Sequence, residues 1–283
     1  MQTPHISHND LDGLGCGVLI KKFMPGTIKT AYLGYDDINT FIEENYHYYD
    51  RIIITDVSPD YGVVEMLAGE KDVIIIDHHA SSESLKDFHF THHDITKCAT
   101  MLTYEYLLNE GYNVEEYAEF AKCVNDVDMW FLKRDDSLKM SVLFNLMGIN
   151  RMEERFLTTA YHGFTDTEKL LIALEEERRD AYIKKAMRNI VTMKDKEGLT
   201  FTAVFAESYA SELGNYIISE DISDYVILIN AQGKKVSLRS RKDVDIRHIA
   251  ENNGGGGHKN AAGCPIKNED FDLNNILKNM GVI

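Results

Sequence analysis

The run Val73-Ile74-Ile75-Ile76 breaks abruptly into Asp77-His78-His79. Four consecutive apolar residues leave no polar face, so they read as a strand buried on both sides, the pattern of a parallel sheet covered by helices. In open α/β sheets, ligands bind just beyond the carboxyl ends of the strands. The same arrangement recurs twice upstream. Arg51-Ile52-Ile53-Ile54-Thr55 runs into Asp56, and Ile6-Ser7 leads into His8-Asn9-Asp10-Leu11-Asp12-Gly13. Three strand ends thus deliver carboxylates and imidazoles to one edge of one sheet. That is more negative charge than an empty pocket tolerates, and cations are implied.

Outward from these strands the pattern is βαβ. Gly13 to Phe23 suits a helix, Ile28 to Leu33 a strand, and Asp37 to Tyr46 and Asp60 to Ala68 two further helices. The expectation is an α/β fold with a parallel, doubly wound sheet. From Ala99 onward the chain reads as helical, over Met101–Leu108, Val114–Val124 and Ser137–Tyr161, with Asn125-Asp126-Val127-Asp128-Met129-Trp130 following the second of these. Thr165-Asp166-Thr167-Glu168 opens a long helix predicted to reach Met193. Its charged middle, Glu175 to Asp180, reads as a solvated face. After a turn at Lys194 to Gly198, a smaller α/β unit is predicted. It has strands at Thr200–Ala206, Tyr225–Asn230 and Lys235–Arg239 and helices at Ser208–Ile218 and Val244–Glu251. The expected organisation is residues 1–164, a helical linker 165–198, and a second domain 199–283.

Composition narrows the function. The 283 residues carry a formal net charge of −16, which argues against a long duplex nucleic acid as partner. It fits a small phosphate-bearing substrate held by metals and a few cationic side chains. No apolar run is long enough for a membrane span. The N-terminus lacks the features of a signal peptide, and the four scattered cysteines lack CxxC spacing, so a reduced, cytoplasmic protein is expected.

Alternate residues of His8-x-Asp10-x-Asp12, just past a strand, can share one side of the extended chain. Nitrogen and oxygen ligands without thiolates suit Mn²⁺ or Mg²⁺. With Asp56, His78 and one further Asp there are ligands for two ions, the arrangement that clamps the attacking and leaving oxygens in phosphoryl chemistry. A second pair, Thr91-His92-His93-Asp94, has no apolar strand before it and reads as structural. Near the C-terminus, Gly254-Gly255-Gly256-Gly257-His258 lets backbone amides approach a phosphate with no Cβ in the way. Arg239, ending a strand, supplies a fork for a phosphate or a plane for a base. Arg241 and Lys259 could equally be plain surface charges.

At these residues the chain resembles the DHH phosphoesterase superfamily, named for the triplet at Asp77-His78-His79. The stretch Gly254 to Gly263 resembles the signature of the DHH-associated domain, so the resemblance covers nearly the whole chain. It implies that His8, Asp10 and Asp56 bind one Mn²⁺, and that Asp12, Asp56, His78 and a fourth-motif Asp bind another, with Asp56 bridging and Mg²⁺ as a substitute. Asp77 would stand behind the ligands and orient an imidazole, and His79 would contact the scissile phosphate. Arg239, Gly255, Gly256, Gly257 and His258 would bind substrate. For the fourth-motif ligand Asp126 is preferred over Asp128, because it comes first after the apolar helix. Trp130 reads as a core anchor ahead of a stacking platform. The implied activity is metal-dependent hydrolysis of very short oligoribonucleotides to mononucleotides, by a protein that could form a homodimer. Alternatives are a 3′-phosphoadenosine 5′-phosphate phosphatase, a linear or cyclic dinucleotide phosphodiesterase, a soluble pyrophosphatase and a non-catalytic nucleotide sensor.

Overall fold

The apolar runs pair as parallel strands. In chain order the first unit contains β1 (Gln2–His8), α1 (Leu11–Phe23), β2 (Thr27–Leu33), α2 (Ile38–Asn45), β3 (Arg51–Thr55), α3 (Tyr61–Ala68), β4 (Asp72–Asp77) and β5 (Thr91–His93). The sheet order is β2-β1-β3-β4-β5, with every pair parallel. Alternate strand residues serve opposite faces. Ile53, Ile74 and Ile76 pack with α1, while Ile52, Ile54, Val73 and Ile75 pack with α2 and α3. The order reverses between β1 and β3, whose carboxyl ends carry His8 and Asp56. Such a switch point is where doubly wound sheets hold ligands. The computed structural model describes residues 2–266.

Helices α4 (Ala99–Asn109), α5 (Ala118–Asp128) and α6 (Ser137–Thr158) complete the layer around α1. Every residue of α1 from Leu11 to Ile20 is buried. Gly13 is required there, since a Cβ would lie 2.0 Å from the His8 carbonyl oxygen. Without that contact the helix could not start directly off the strand that carries the first histidine.

Several elements depart from expectation. Thr91–His93 is a strand after all, paired with β4. As a three-residue edge strand it has no apolar run to announce it. Helix α5 continues through Asp128, so the Asn125–Asp128 motif is its last turn and not a following loop. Helix α7 (Asp166–Ala186) stops seven residues before Met193, and β6 (Val191–Lys194) takes up the remainder. The start of α7 is as predicted: the Glu168 amide donates to Thr165 Oγ1 and Glu168 Oε2 accepts from the Thr165 amide, a reciprocal cap.

The chain divides into two compact units, Met1–Ala173 and Leu174–Ile283, with the boundary inside α7. The second unit adds β7 (Thr200–Phe205), α8 (Ala210–Ser219), β8 (Tyr225–Asn230), β9 (Lys235–Ser240), α9 (Arg247–Glu251), β10 (Gly256–His258) and β11 (Ala261–Pro265). Its sheet runs β10-β11-β9-β8-β7-β6, mixed because β7 and β8 are parallel while the other pairs are antiparallel. Among the described residues no helix is long and apolar enough to cross a membrane.

Candidate metal centre

The ends of β1, β3 and β4 converge as their parallel pairing requires. Ligand atoms of His8, Asp10 and Asp56 lie within 4.8 Å of one another, as do those of Asp56, His78 and His79. His78 Nε2 is 3.3 Å from Asp56 Oδ1, 3.6 Å from Asp12 Oδ2 and 3.7 Å from Asp128 Oδ2. His8 Nδ1 donates to Asp10 Oδ2 at 2.6 Å, and Asp10 Oδ1 caps α1 by accepting from the Gly13 amide.

Asp56 is the centre of this group and its most strained member. It is buried and has φ of +59°, a left-handed conformation rare outside glycine. Its Oδ2 is buried with no hydrogen-bond partner among the described residues. Burial pushes its carboxyl well above the ordinary range, and repulsion from Asp12 and Asp10 adds to this. Asp128 is likewise raised, by desolvation and then by Asp12 and Asp10. A buried, unpaired carboxylate oxygen facing other acids and two imidazoles fits a divalent cation, whose charge reverses each of these penalties.

The remaining side chains orient this group. Asp12 Oδ1 and Oδ2 accept the Thr100 and Ala99 amides, both at 2.7 Å, so the N-terminus of α4 fixes its carboxylate. Asp77 Oδ2 accepts from Ser58 and Ser82, and its Oδ1 accepts from the His78 amide and from His79 Nδ1 at 2.8 Å. Burial alone would raise the Asp77 carboxyl, but His79 and the two serines outweigh it and hold it below the usual range. The same pair raises His79, chiefly through its bond to Asp77. His93 Nε2 donates to the His79 carbonyl, so the second histidine pair braces the first. Cys98 Sγ also lies within 4.8 Å of Asp12 and Asp128 ligand atoms, and burial, with Asp12 next, pushes its thiol well up from the usual range.

The structure does not bring Asp126 to this group. Its Oδ1 and Oδ2 accept the Lys133 and Arg134 amides at 3.0 and 3.1 Å, whereas Asp128 reaches His78. Residues two apart on a helix point about 200° from each other, so only one of the pair can face the sheet edge. Trp130 is not a core anchor: it is 62% exposed. Tyr35 is a residue that sequence reasoning missed. Its hydroxyl is 2.8 Å from His79 Nε2 and its ring lies 4.6 Å from the His8 ring. With Nδ1 donating to Asp77, a neutral His79 accepts the phenol proton at Nε2, and a protonated one donates to the phenol oxygen. Nothing in a lone tyrosine after Gly34 signals this.

In the second unit the glycine stretch is the edge strand of a hairpin and not a free loop. A Cβ at Gly255 would lie 2.0 Å from the Gly263 carbonyl oxygen, and Gly257 has φ of +141° with 2.6 Å to the Ala261 carbonyl oxygen. Gly256 faces open space. The register places both Arg239 and His258 opposite Ala261, so the three share one face across neighbouring strands. Arg239 donates to Ser211 Oγ and the Leu238 carbonyl. Arg241, in contrast, is bound to Asp221 and Asp224 and is a structural charge.

A doubly wound domain with an acid- and histidine-lined sheet edge, followed by a glycine-edged mixed sheet, defines a phosphoesterase-type architecture. The DHHA1 domain family matches residues 184–280. The chain is 32% identical to oligoribonuclease NrnB of Bacillus subtilis, an alignment spanning 94% of this chain and 73% of that protein. The fold is shared with the pGpG-specific phosphodiesterase PggH of Vibrio cholerae, at TM-score 0.61 and 13% identity over 98% of this chain and 97% of that one. It is also shared with exonuclease RecJ in a manganese-bound crystal structure, at TM-score 0.58 and 14% identity over 95% and 86%. The chain belongs to the DHH phosphoesterase superfamily and carries the DHHA1 domain of that family.

Proposed function

We propose that this chain hydrolyses very short oligoribonucleotides to nucleoside monophosphates, using divalent cations, Mn²⁺ foremost. The observation that carries this reading is the orphaned carboxylate oxygen of Asp56, buried among acids and imidazoles from three strand ends. The relationship to an oligoribonuclease supports the substrate class.

His8, Asp10 and Asp56 would hold one cation, and Asp12, Asp56, His78 and Asp128 a second, with Asp56 shared. Asp128 replaces Asp126 in this assignment because Asp126 has both oxygens committed to backbone amides. Bound there, the cations would supply Lewis-acid stabilisation of the phosphoryl oxygens and activation of the attacking water. The protein's own part is orientation. Asp12 is held by α4, and Asp77 fixes the His79 ring so that its Nε2, now carrying the Tyr35 hydroxyl, can turn to a phosphate oxygen. In the second unit, Arg239, His258 and the edge of β10 at Gly256 and Gly257 would offer donors to a phosphate or a base.

Hydrolysis with Mn²⁺ or Mg²⁺ tests this across two- to ten-residue RNAs and DNAs, pGpG, 3′-phosphoadenosine 5′-phosphate, cyclic dinucleotides and pyrophosphate, with Asp56→Ala as control. Preference for the two- to five-residue RNAs, lost in the control, is expected. Preference for a small nucleotide would keep the site and replace the substrate. No turnover would favour a nucleotide sensor.

A further inference from the structure

The segment after Asp128 is unusual in three independent ways. Trp130 and Leu132 have φ of +56° and +50°, conformations that are genuine outliers for bulky side chains. The strain is held in place from one residue. Asp126 accepts the Phe131 and Leu132 amides at its carbonyl and the Lys133 and Arg134 amides at its carboxylate. The loop so fixed displays apolar surface and does not bury it: Trp130 is 62% exposed and Phe131 44%. The Phe131 ring has Lys133 Nζ over it at 5.4 Å, whereas among the described residues no ring or cation engages the Trp130 indole.

Position gives this a purpose. Trp130 lies two residues beyond Asp128, whose carboxylate meets His78, so its Cα is within about 8 Å of the Asp128 Cα. Strain that holds a bare indole in a loop directly following a candidate metal ligand is a feature of functional loops, and the inference runs from the observed outlier to the role. Indole is a sequence-tolerant partner for a base, since every base has a π-face.

We propose that Trp130 is a stacking platform for one nucleobase of the substrate, and that Asp126 is the positioning residue that presents it. The proposal rests on the short-oligonucleotide reading above and adds how a substrate is recognised independently of its sequence. Phosphate chemistry and base recognition then lie within one unit of the chain, two residues apart.

Trp130 is the only tryptophan, so its fluorescence reports this surface alone. Stopped-flow fluorescence would follow pApA mixed with the Mn²⁺-loaded enzyme. In parallel, kcat and KM would be measured for pApA and for its two abasic analogues, in the wild type, Trp130→Ala and Trp130→Phe. Transient quenching by pApA is expected. The advantage of pApA over one abasic analogue should shrink about 10-fold or more in Trp130→Ala, chiefly through KM, and be largely restored in Trp130→Phe. An unchanged ratio in a folded Trp130→Ala, or turnover without any fluorescence change, would overturn the proposal. So would an unchanged ratio with a shift in sedimentation, which would make the surface a self-association site. Absence of pApA hydrolysis by the wild type would instead remove the oligonucleotide reading, and this proposal with it.

Discussion

The carboxyl edge of the five-stranded sheet and the hairpin edge of the six-stranded sheet are both candidate ligand surfaces, built on opposite terms. The first gathers buried acids whose needs the protein does not meet, with Asp56 Oδ2 left unpartnered. The second is exposed glycine and histidine beside an arginine whose guanidinium already bonds Ser211 and the Leu238 carbonyl. An incomplete electrostatic set is destabilising until a cation arrives. A complete one is stable alone and takes an anion by charge. Ligand removal should therefore register in the stability of the first surface and only in the substrate affinity of the second.

The severest way to break this contrast is Asp56→Ala. Partners one step removed from metal ligands are already worth about 10–100-fold, so loss of the shared acid should lower kcat by more than about 100-fold. Retention of activity within a few-fold would mean that the first edge is not the reaction centre. Next comes the pair in α5. Calorimetric titration with Mn²⁺ should show Asp128→Asn weakening binding by about 10–100-fold, with Asp126→Asn close to wild type and less stable to heat. The opposite order would restore Asp126 as the ligand. Arg239→Ala should raise KM by about 10-fold or more, the worth of one charged hydrogen bond, while leaving the metal-induced rise in Tm intact. A lost Tm response would show that Arg239 acts on metal binding or folding and not on substrate affinity alone.

The smallest effect concerns pH. As pH rises past the ordinary carboxyl pKa of about 4, unfolded Asp56 and Asp128 release their protons while the folded ones retain them. The native state then binds more protons, and this contribution to stability declines until both ionise. Metal-free protein should therefore lose a few degrees of Tm between acid and neutral pH at these positions. Asp56→Asn should recover part of that loss, and Mn²⁺ should remove the decline in the wild type. Asp77, held low, works in the other sense and loses its contribution on acidification. An Asp56→Asn protein melting below the wild type at neutral pH without metal would show that Asp56 is satisfied within the protein.

What was legible in the sequence followed burial. Continuous apolar runs announced β3 and β4, and the residues after them had to lie on one edge once the strands were parallel. Thr91–His93 escaped because an edge strand of three residues needs no apolar run. The choice between Asp126 and Asp128 turned on whether α5 ended before or after them, a two-residue boundary that propensity does not resolve. Tyr35 and Trp130 were hidden for a different reason. Their roles depend on which side of the fold their loops face, and one aromatic in a loop carries no periodicity from which to infer it.

Asp12 serves two masters. Its carboxylate caps α4, a contact spanning 88 residues of chain and of a kind worth about 0.5–2 kcal/mol, and it is also a proposed cation ligand. A side chain with both duties has almost no room to drift. Asn would keep at most one of the two amide bonds and forfeit the negative charge, while Glu would preserve the charge and displace the helix. Selection acting on folding alone would thus already hold an oxygen donor at this point of the sheet edge. Lineages that lost the chemistry would be expected to keep a capping residue here long after Asp56 and His78 had diverged.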